Sequence, residues 1–369
     1  MSKIKGRLFY KDDKNIWDAL VQQTPSKKSV KKYLQSQGLL LSSKDEKEDF
    51  AEYLAPWFTS FFDQKFIVEE RGGGNAHRRF INSEVLIDYD KDEIQKLLIE
   101  MKKDQTLDLN INIKSNEGSL VVGESYIKSD FTKNVLSQNI PKNAEIEIKR
   151  TEDNKVLIRS NNDDQARKIT SILKEKLEAN NKDSYEEFVI NFSAITDPTA
   201  RTEFFNKLIN DIDGYKTVDM KSAAVSKSDN SPVNQDDELD EKTLSYIKRI
   251  MLNGESVHHS KELNALLKEG FYITKIEWAM ESKLLTGDKI DLYAEFKNTN
   301  NCSDLIYALQ RVYTKRDSGT FNTTGKQPSH IENSQILSKI ESSAKRSFLA
   351  VQKEYDETES LVELDHEND

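Results

Sequence analysis

The strongest constraint on the fold is a change of hydrophobic period near residue 105. Before it, apolar residues recur at helical spacing. Val30, Tyr33 and Leu34 share one face, and Phe50, Tyr53 and Leu54 repeat the i, i+3, i+4 pattern. After it, "LDLNINIK" alternates strictly, with Leu107, Leu109, Ile111 and Ile113 facing one way and Asp108, Asn110, Asn112 and Lys114 the other. A period of two buries one face of a strand and a period of 3.6 one stripe of a helix. The expected class is therefore a multidomain α+β chain: a small helical N-terminal module, then two mixed α/β layers with antiparallel hairpins.

Punctuation refines this division. Gly38 follows the first helix where a left-handed cap is wanted, Pro56 sits just past the second, and "KDEIQKLLIEMKK" predicts a further helix over 91–103. The aromatic run Trp57, Phe58, Phe61, Phe62 and Phe66 is expected in the core, which closes a first region, 1–103, whose helical module spans 27–66. A second region, 104–182, holds the strand above and a hairpin in "AEIEIKRTEDNKVLIRS", with Ile146 and Ile148 pairing toward Val156 and Ile158. It ends in a helix whose stripe is Ala166, Ile169, Ile172, Leu173 and Leu177.

The third region, 183–358, opens with a strand in "EEFVINFSAI" and a helix that Asp197 caps and Pro198 starts. Gly214 closes that helix and "YKTVDMKSAAV" returns as a strand. Residues 226–241 have almost no apolar side chains and read as a disordered insertion. A helix around "KTLSYIKRIML" follows, then a short helix between Ser260 and Gly270, and a hairpin of "FYITKIEWAME" with "DKIDLYAEFKN". A long last helix carries Ile336, Ile340, Ala344, Phe348 and Val351, and 359–369 is an acidic tail expected to fray.

Charge narrows the function classes. The net charge of −10 argues against a chain that coats nucleic acid over its whole surface, but leaves room for a local basic face. Cys302 is the only cysteine, so an intramolecular disulfide and a cysteine-based zinc site are excluded. The opening residues lack the apolar core of a secretory signal, and no run approaches the roughly 18 apolar residues of a membrane span. A reducing cytoplasmic setting without membrane is expected.

The basic face is at the front. "KKSVKKYLQSQGLLLSSKDEKEDFAEYL", residues 27–54, puts Lys27, Lys28, Lys31 and Lys32 at a helix N-terminal end. Through Val30, Leu34, Gly38, Leu39, Ser42, Lys47, Phe50 and Leu54 the stretch resembles the SAP-like helix–extended-loop–helix motif. That resemblance implies contact with a DNA backbone, with Lys47 joining the four lysines. Asp45, Glu46, Glu48, Asp49 and Glu52 on the second helix would repel phosphate. A lysine-rich solvated face is the plain alternative.

Two further stretches carry candidate chemistry. "EERGGGNAHRRF" combines three glycines with Arg71, Arg78 and Arg79, a basic loop able to touch phosphate, although its glycine spacing fits neither a Walker loop nor a dinucleotide fingerprint. In "GDKIDLYAEFKN", Asp291, Glu295 and Lys297 are similar to the acidic-x-lysine signature of metal-dependent nucleases. There, carboxylates hold Mg²⁺ and a lysine stabilises phosphate charge. Glu147-Ile-Lys149 matches the same tripeptide, and His258-His259 lacks further ligands.

With no catalytic set assembled, the expectation is a non-enzymatic, nucleic-acid-associated accessory subunit with a protein partner, using no cofactor. Its ligand is a DNA or RNA backbone. A nuclease-like subunit built on Glu295 and Lys297, and a purely protein-interaction subunit, are the alternatives.

Overall fold

The computed structural model describes residues 12–21, 25–40, 42, 44–57, 60–72, 79–86, 91–104, 109–116, 118–130, 136, 138–150, 155–180, 185–227, 249–254, 257, 260–285 and 287–366. In chain order these form α1 (Asp13–Val21), α2 (Lys27–Ser36), α3 (Lys47–Leu54), α4 (Phe61–Gly72), β1 (Phe80–Leu86) and α5 (Lys91–Lys103). Next come β2 (Asn112–Asn116), β3 (Ser119–Ser129), β4 (Asn139–Arg150), β5 (Lys155–Asn161), α6 (Asp164–Asn180), β6 (Glu186–Phe188) and α7 (Pro198–Asn210). The last are β7 (Tyr215–Lys227), β8 (Arg249–Asn253), α8 (Lys261–Lys268), β9 (Phe271–Ser282), β10 (Lys289–Asn298), β11 (Ser303–Tyr313) and α9 (His330–His366).

The class is α+β with a helical N-terminal region, as the periods predict. The chain divides into two compact units: 1–76 with 95–116 and 121–145, and 77–94 with 117–120 and 146–369. The segment 104–182 is thus shared between both, because β4 contributes its first half to one unit and its second half to the other.

In the first unit, short polar caps set the helix ends. The Ser26 hydroxyl accepts from the Ser29 N–H at the start of α2, and Glu46 with Asp49 forms a reciprocal box at α3. Gly38 takes φ +80°, the left-handed cap its position demands. The core joins Ile16 and Leu20 of α1, Val30 and Leu34 of α2, Phe50, Ala51 and Leu54 of α3 and Ile67 of α4. The aromatic run departs from expectation. Trp57, Phe61 and Phe62 are 65–70% exposed, Tyr53 is exposed too, and Phe58 lies outside the described residues. Short helices bury one stripe. Tyr53 stands roughly 100° round α3 from the stripe of Phe50, Ala51 and Leu54, and on α4 the inward positions belong to Phe66 and Ile67.

The second unit is an antiparallel sheet with α7, α8 and α9 packed on one face and α6 against β5. Its strand path is β4-β5-β1-β11-β10-β9-β7-β8, with β6 added beside β1. Ile290, Leu292, Ala294 and Phe296 of β10 point to the helical side, and Asp291, Tyr293 and Glu295 alternate to the other. Phe192, Phe204, Phe205, Phe296 and Phe348 pack ring against ring at centroid distances of 5.0 to 5.8 Å, binding α7 and α9 to the sheet. Asp197 caps α7 through the Thr199 and Ala200 N–H groups, Ser260 caps α8, and the α9 stripe of Ile336, Ile340, Ala344, Phe348 and Val351 is buried as expected.

Several local expectations are corrected. Ile148 does face Ile158, but Ile146 faces Ser160 and Val156 faces Arg150. The expected helix around "KTLSYIKRIML" is strand β8 where it is described. Pairing with β7 satisfies that strand's backbone groups, and Ile250 and Leu252 alternate onto the core. "EEFVINFSAI" forms only the three residues of β6, and Leu109 and Ile111 are buried but precede strand β2. Ser226 and Lys227 finish β7, and 228–241 lie outside the described residues. The acidic tail continues α9 as helix to His366.

One buried ionic cluster ties β5 to α9. Arg159, 4% exposed, donates Nε and Nη2 to the two Glu341 oxygens at 2.6 and 2.7 Å, and Nη1 to Glu147 at 2.7 Å. Its Nη2 also reaches the Ser338 hydroxyl at 3.0 Å, and the Tyr307 hydroxyl bonds Glu341. Burial, with the Glu341 carboxylate beside it, holds Tyr307 well above its ordinary range. Removing one partner of such a pair strands a buried charge, at a cost of about 3–5 kcal/mol. We predict that Arg159→Met loses about that much stability in urea denaturation, and that Arg159→Met with Glu341→Leu recovers more than half of it.

At the start of α9, Ser329 and Glu332 form a capping box: the Ser329 N–H donates to Glu332 at 2.7 Å and the Glu332 N–H to the Ser329 hydroxyl at 3.3 Å. The Ser329 N–H, aided by Lys326, holds the Glu332 carboxyl down at about 2 against an ordinary 4.5. A lowered folded pKa contributes stability above the unfolded value and loses it as pH falls through the folded one. Glu332→Gln is therefore expected to cost about 1 kcal/mol at pH 7 and almost nothing near pH 2, read from urea midpoints at the two pH values.

Candidate nucleic-acid interface

Helix α2 turns the four lysines to solvent because Val30, Leu34 and Tyr33 take the opposite side. At 100° per residue, Lys27, Lys31, Lys28 and Lys32 fan over an arc of roughly 140°. Lys28 and Lys32 are exposed, and Lys27 and Lys31 half-buried. The Lys27 ammonium lies 5.4 Å from the centre of the Phe50 ring, so its stem covers the core at the junction with α3. Among the described residues, no carboxylate pairs with any of the four. Lys47 opens α3, half-buried.

The platform is held from the other side by Tyr33. Its ring stacks on Phe66 of α4 at 4.2 Å and its hydroxyl donates to Asp63 at 2.8 Å. Burial, reinforced by the Asp63 carboxylate, pushes this phenol up to about 12. Asp63 also accepts from the Ser60 N–H and hydroxyl, so one carboxylate caps α4 and anchors α2. Positive charge in the first turn of a helix opposes the macrodipole, so Lys27 and Lys28 occupy positions that helix stability does not favour.

The remaining sequence candidates are distributed otherwise. Arg71 ends within α4, where only its backbone is described, and Arg78 lies outside the described residues. Arg79 belongs to the second unit. Its guanidinium lies 4.3 Å from the centre of the Tyr293 ring, with Nη1 3.9 Å from Glu295.

Asp291, Glu295 and Lys297 share the helix-free face of β10, each carboxylate already engaged by cations. Asp291 accepts from Lys221 at 2.6 Å and from the Tyr313 hydroxyl at 2.7 Å. Glu295 accepts from Arg249 at 2.8 Å and from the Tyr293 hydroxyl. Burial, with Asp291 alongside, pushes Tyr313 up to about 12. Lys297 is exposed. Four strand residues separate the two acids by about 13 Å, too far for one divalent ion whose oxygen ligands sit within about 2.6 Å. Among the described residues, no three potential metal ligands of the His, Cys, Asp and Glu types converge.

Sequence reasoning missed the partners on this face: Lys221, Arg249, Lys275, Tyr293 and Tyr313. The alternation Asp291-Tyr293-Glu295 within an apolar strand was the available signal for a polar face. Cys302, buried in the turn after β10, has its thiol pushed up to about 12 by burial, so it is not a nucleophile at neutral pH.

Because Phe50 carries both the helical core and the Lys27 contact, Phe50→Ala is expected to cost the protein about 3–5 kcal/mol. Trp57→Ser should stay within about 0.5 kcal/mol. Urea denaturation of both variants checks this contrast.

Among the described residues, no helix is long and apolar enough to cross a membrane. No protein-family model matches this chain, and no curated protein matches it significantly.

Proposed function

We propose that the chain is a non-enzymatic, nucleic-acid-associated protein that grips a sugar–phosphate backbone through α2 and serves as an accessory subunit of a larger assembly. The observation that carries this reading is the fan of four lysines with no carboxylate partner among the described residues. Unpaired ammonium groups retain their full attraction for phosphate, and each phosphate neutralised releases counterions. Their position against the helix dipole supports a role in binding rather than in stability. The backbone phosphate is common to DNA and RNA, so the lysines favour neither. The exposed Tyr53, Trp57, Phe61 and Phe62 support a protein contact in the same unit, since aromatic side chains are enriched at interfaces.

The test compares the wild type with a variant in which Lys27, Lys28, Lys31 and Lys32 are glutamate, by fluorescence anisotropy on labelled duplex and single-stranded DNA and RNA. At about 50 mM salt the wild type binds and the variant does not, and the wild-type affinity falls with salt with a logarithmic slope near −3 to −4. Equal retention of both proteins overturns the reading. Absence of binding by the wild type favours a protein-interaction subunit. In the same preparations, plasmid with Mg²⁺ or Mn²⁺ tests the nuclease alternative, which requires cleavage that Glu295→Ala abolishes.

A further inference from the structure

The second unit contains a cavity of about 570 Å³, walled by β1, β4, β5, α6, the segment around β6, β11 and α9. That volume lies in the range of small-molecule sites, roughly 300–1,000 Å³. Five cationic side chains line it: Lys149, Arg150, Lys174, Lys345 and Arg346. Three carboxylates do so too, Glu84, Asp304 and Glu341, leaving an excess of positive charge in a chain whose net charge is −10.

The three carboxylates are already engaged by cations, one of which, Lys345, itself lines the cavity and bonds the two Glu84 oxygens at 2.8 and 2.6 Å. Lys155 lies 3.4 Å from Glu84, Arg167 lies 3.5 Å from Asp304, and Arg159 holds Glu341 at 2.6 Å. Lys345 also bonds Glu84, and Lys174 and Arg346 pair with Glu187 and Asp211 in partly exposed contacts of the kind that contribute little. Among the described residues, Lys149 has no carboxylate partner. An entering dianion therefore meets an excess of ammonium and guanidinium groups, and carboxylates that are already paired.

The rest of the lining mixes Asn82, Ser83, Ser338 and Ser342 with apolar side chains. Leu157, Ile190 and Leu305 contribute aliphatic surface. Phe188 offers a ring held edge-on by Phe348 at 5.9 Å, with the Lys345 ammonium 5.2 Å from its centre. A flat apolar surface beside cations suits a ligand that joins a planar ring to phosphate.

We propose that this cavity binds a nucleotide, its ring against Phe188 and its phosphates among Lys149, Arg150 and Lys345. The site is independent of α2 and does not rest on the reading of that helix. The same pairing of ring and phosphate is also present at the 5′-phosphorylated end of a nucleic-acid strand, and the experiment separates the two sources.

Isothermal titration of the full chain at low salt uses ADP, adenosine, inorganic phosphate and a 5′-phosphorylated trinucleotide as probes. ADP is expected to bind at least about tenfold tighter than adenosine or phosphate alone, and Lys149→Glu to weaken it about tenfold. Phe188→Leu, which keeps an apolar side chain there, should weaken ADP binding and leave phosphate binding unchanged. Thermal melts show whether each variant is folded, and Lys149, being exposed, is expected to tolerate the change. No binding of ADP at millimolar concentration, or ADP binding unchanged in folded Lys149→Glu and Lys345→Gln, overturns the proposal. A trinucleotide that binds where ADP does not, and still binds when Lys27, Lys28, Lys31 and Lys32 are replaced by glutamate, also overturns it, in favour of a strand-end site.

Discussion

The bidentate contact of Arg159 with Glu341 joins residues 182 positions apart and sets how α9 lies on the sheet. A guanidinium taken out of water is tolerated only when its donors meet acceptors in a plane. Nε and Nη2 meet Glu341, Nη1 meets Glu147, and Ser338 takes a further Nη2 bond, so the fork is satisfied. This fixes the rotation of α9 about its axis. With Glu341 turned toward β5, Ile336, Ile340, Ala344 and Phe348 must face the aromatic core. Lys345, one turn beyond Glu341, must then face the cavity. The packing of the core and the charge of the cavity wall are two consequences of the same rotation.

The two units handle positive charge in opposite ways. On the face of β10 that carries Asp291, Tyr293 and Glu295, cations and acids neutralise one another: Lys221 with Asp291, Arg249 with Glu295, and Lys275 with Glu277. Tyr293 lies between Arg79 and Lys275, within cation–π reach of both. On α2 the lysines have no carboxylate partner among the described residues, although the chain is acidic. Acidic residues are plentiful nearby in sequence, but the box of Glu46 with Asp49 commits two of them to capping α3. In a molecule with 64 acidic residues, such separation of charge is more informative than the net value.

Legibility varied with the kind of signal. Caps were readable because they are local: Asp197-Pro198, Ser260 and Gly38 act on backbone groups within a few residues. The stripes of α6 and α9 were readable because several apolar positions agree on one face, although Ile172 is only half-buried. Strand β11 was not read, since "DLIYALQ" is almost continuously apolar and such a run has no period to betray a strand. The helix-like residues of β8 became a strand because the edge of β7 offered hydrogen bonds that local propensity does not weigh. Trp57, Phe61 and Phe62 looked like core by composition, yet α3 and α4 had already spent their inward positions on Phe50, Leu54 and Ile67, and Trp57 falls in the turn after α3. For the candidate site, the lysine cluster was visible as a run on one helix. The cavity was invisible, because its cations come from positions 149, 150, 174, 345 and 346.

What the sequence by itself determined is local: the switch from helical to alternating period, the helix starts and stops, the single cysteine, and the four lysines on one turn-and-a-half of α2. Each depends on residues within hydrogen-bonding or one-turn distance along the chain. Only the tertiary structure decided that Arg159 would find Glu341, that Asp291 and Glu295 would be neutralised on a sheet face, and which aromatic rings would be buried. Those outcomes depend on strand order and helix rotation, and these are settled by long-range packing and by the cost of leaving a buried charge unpaired.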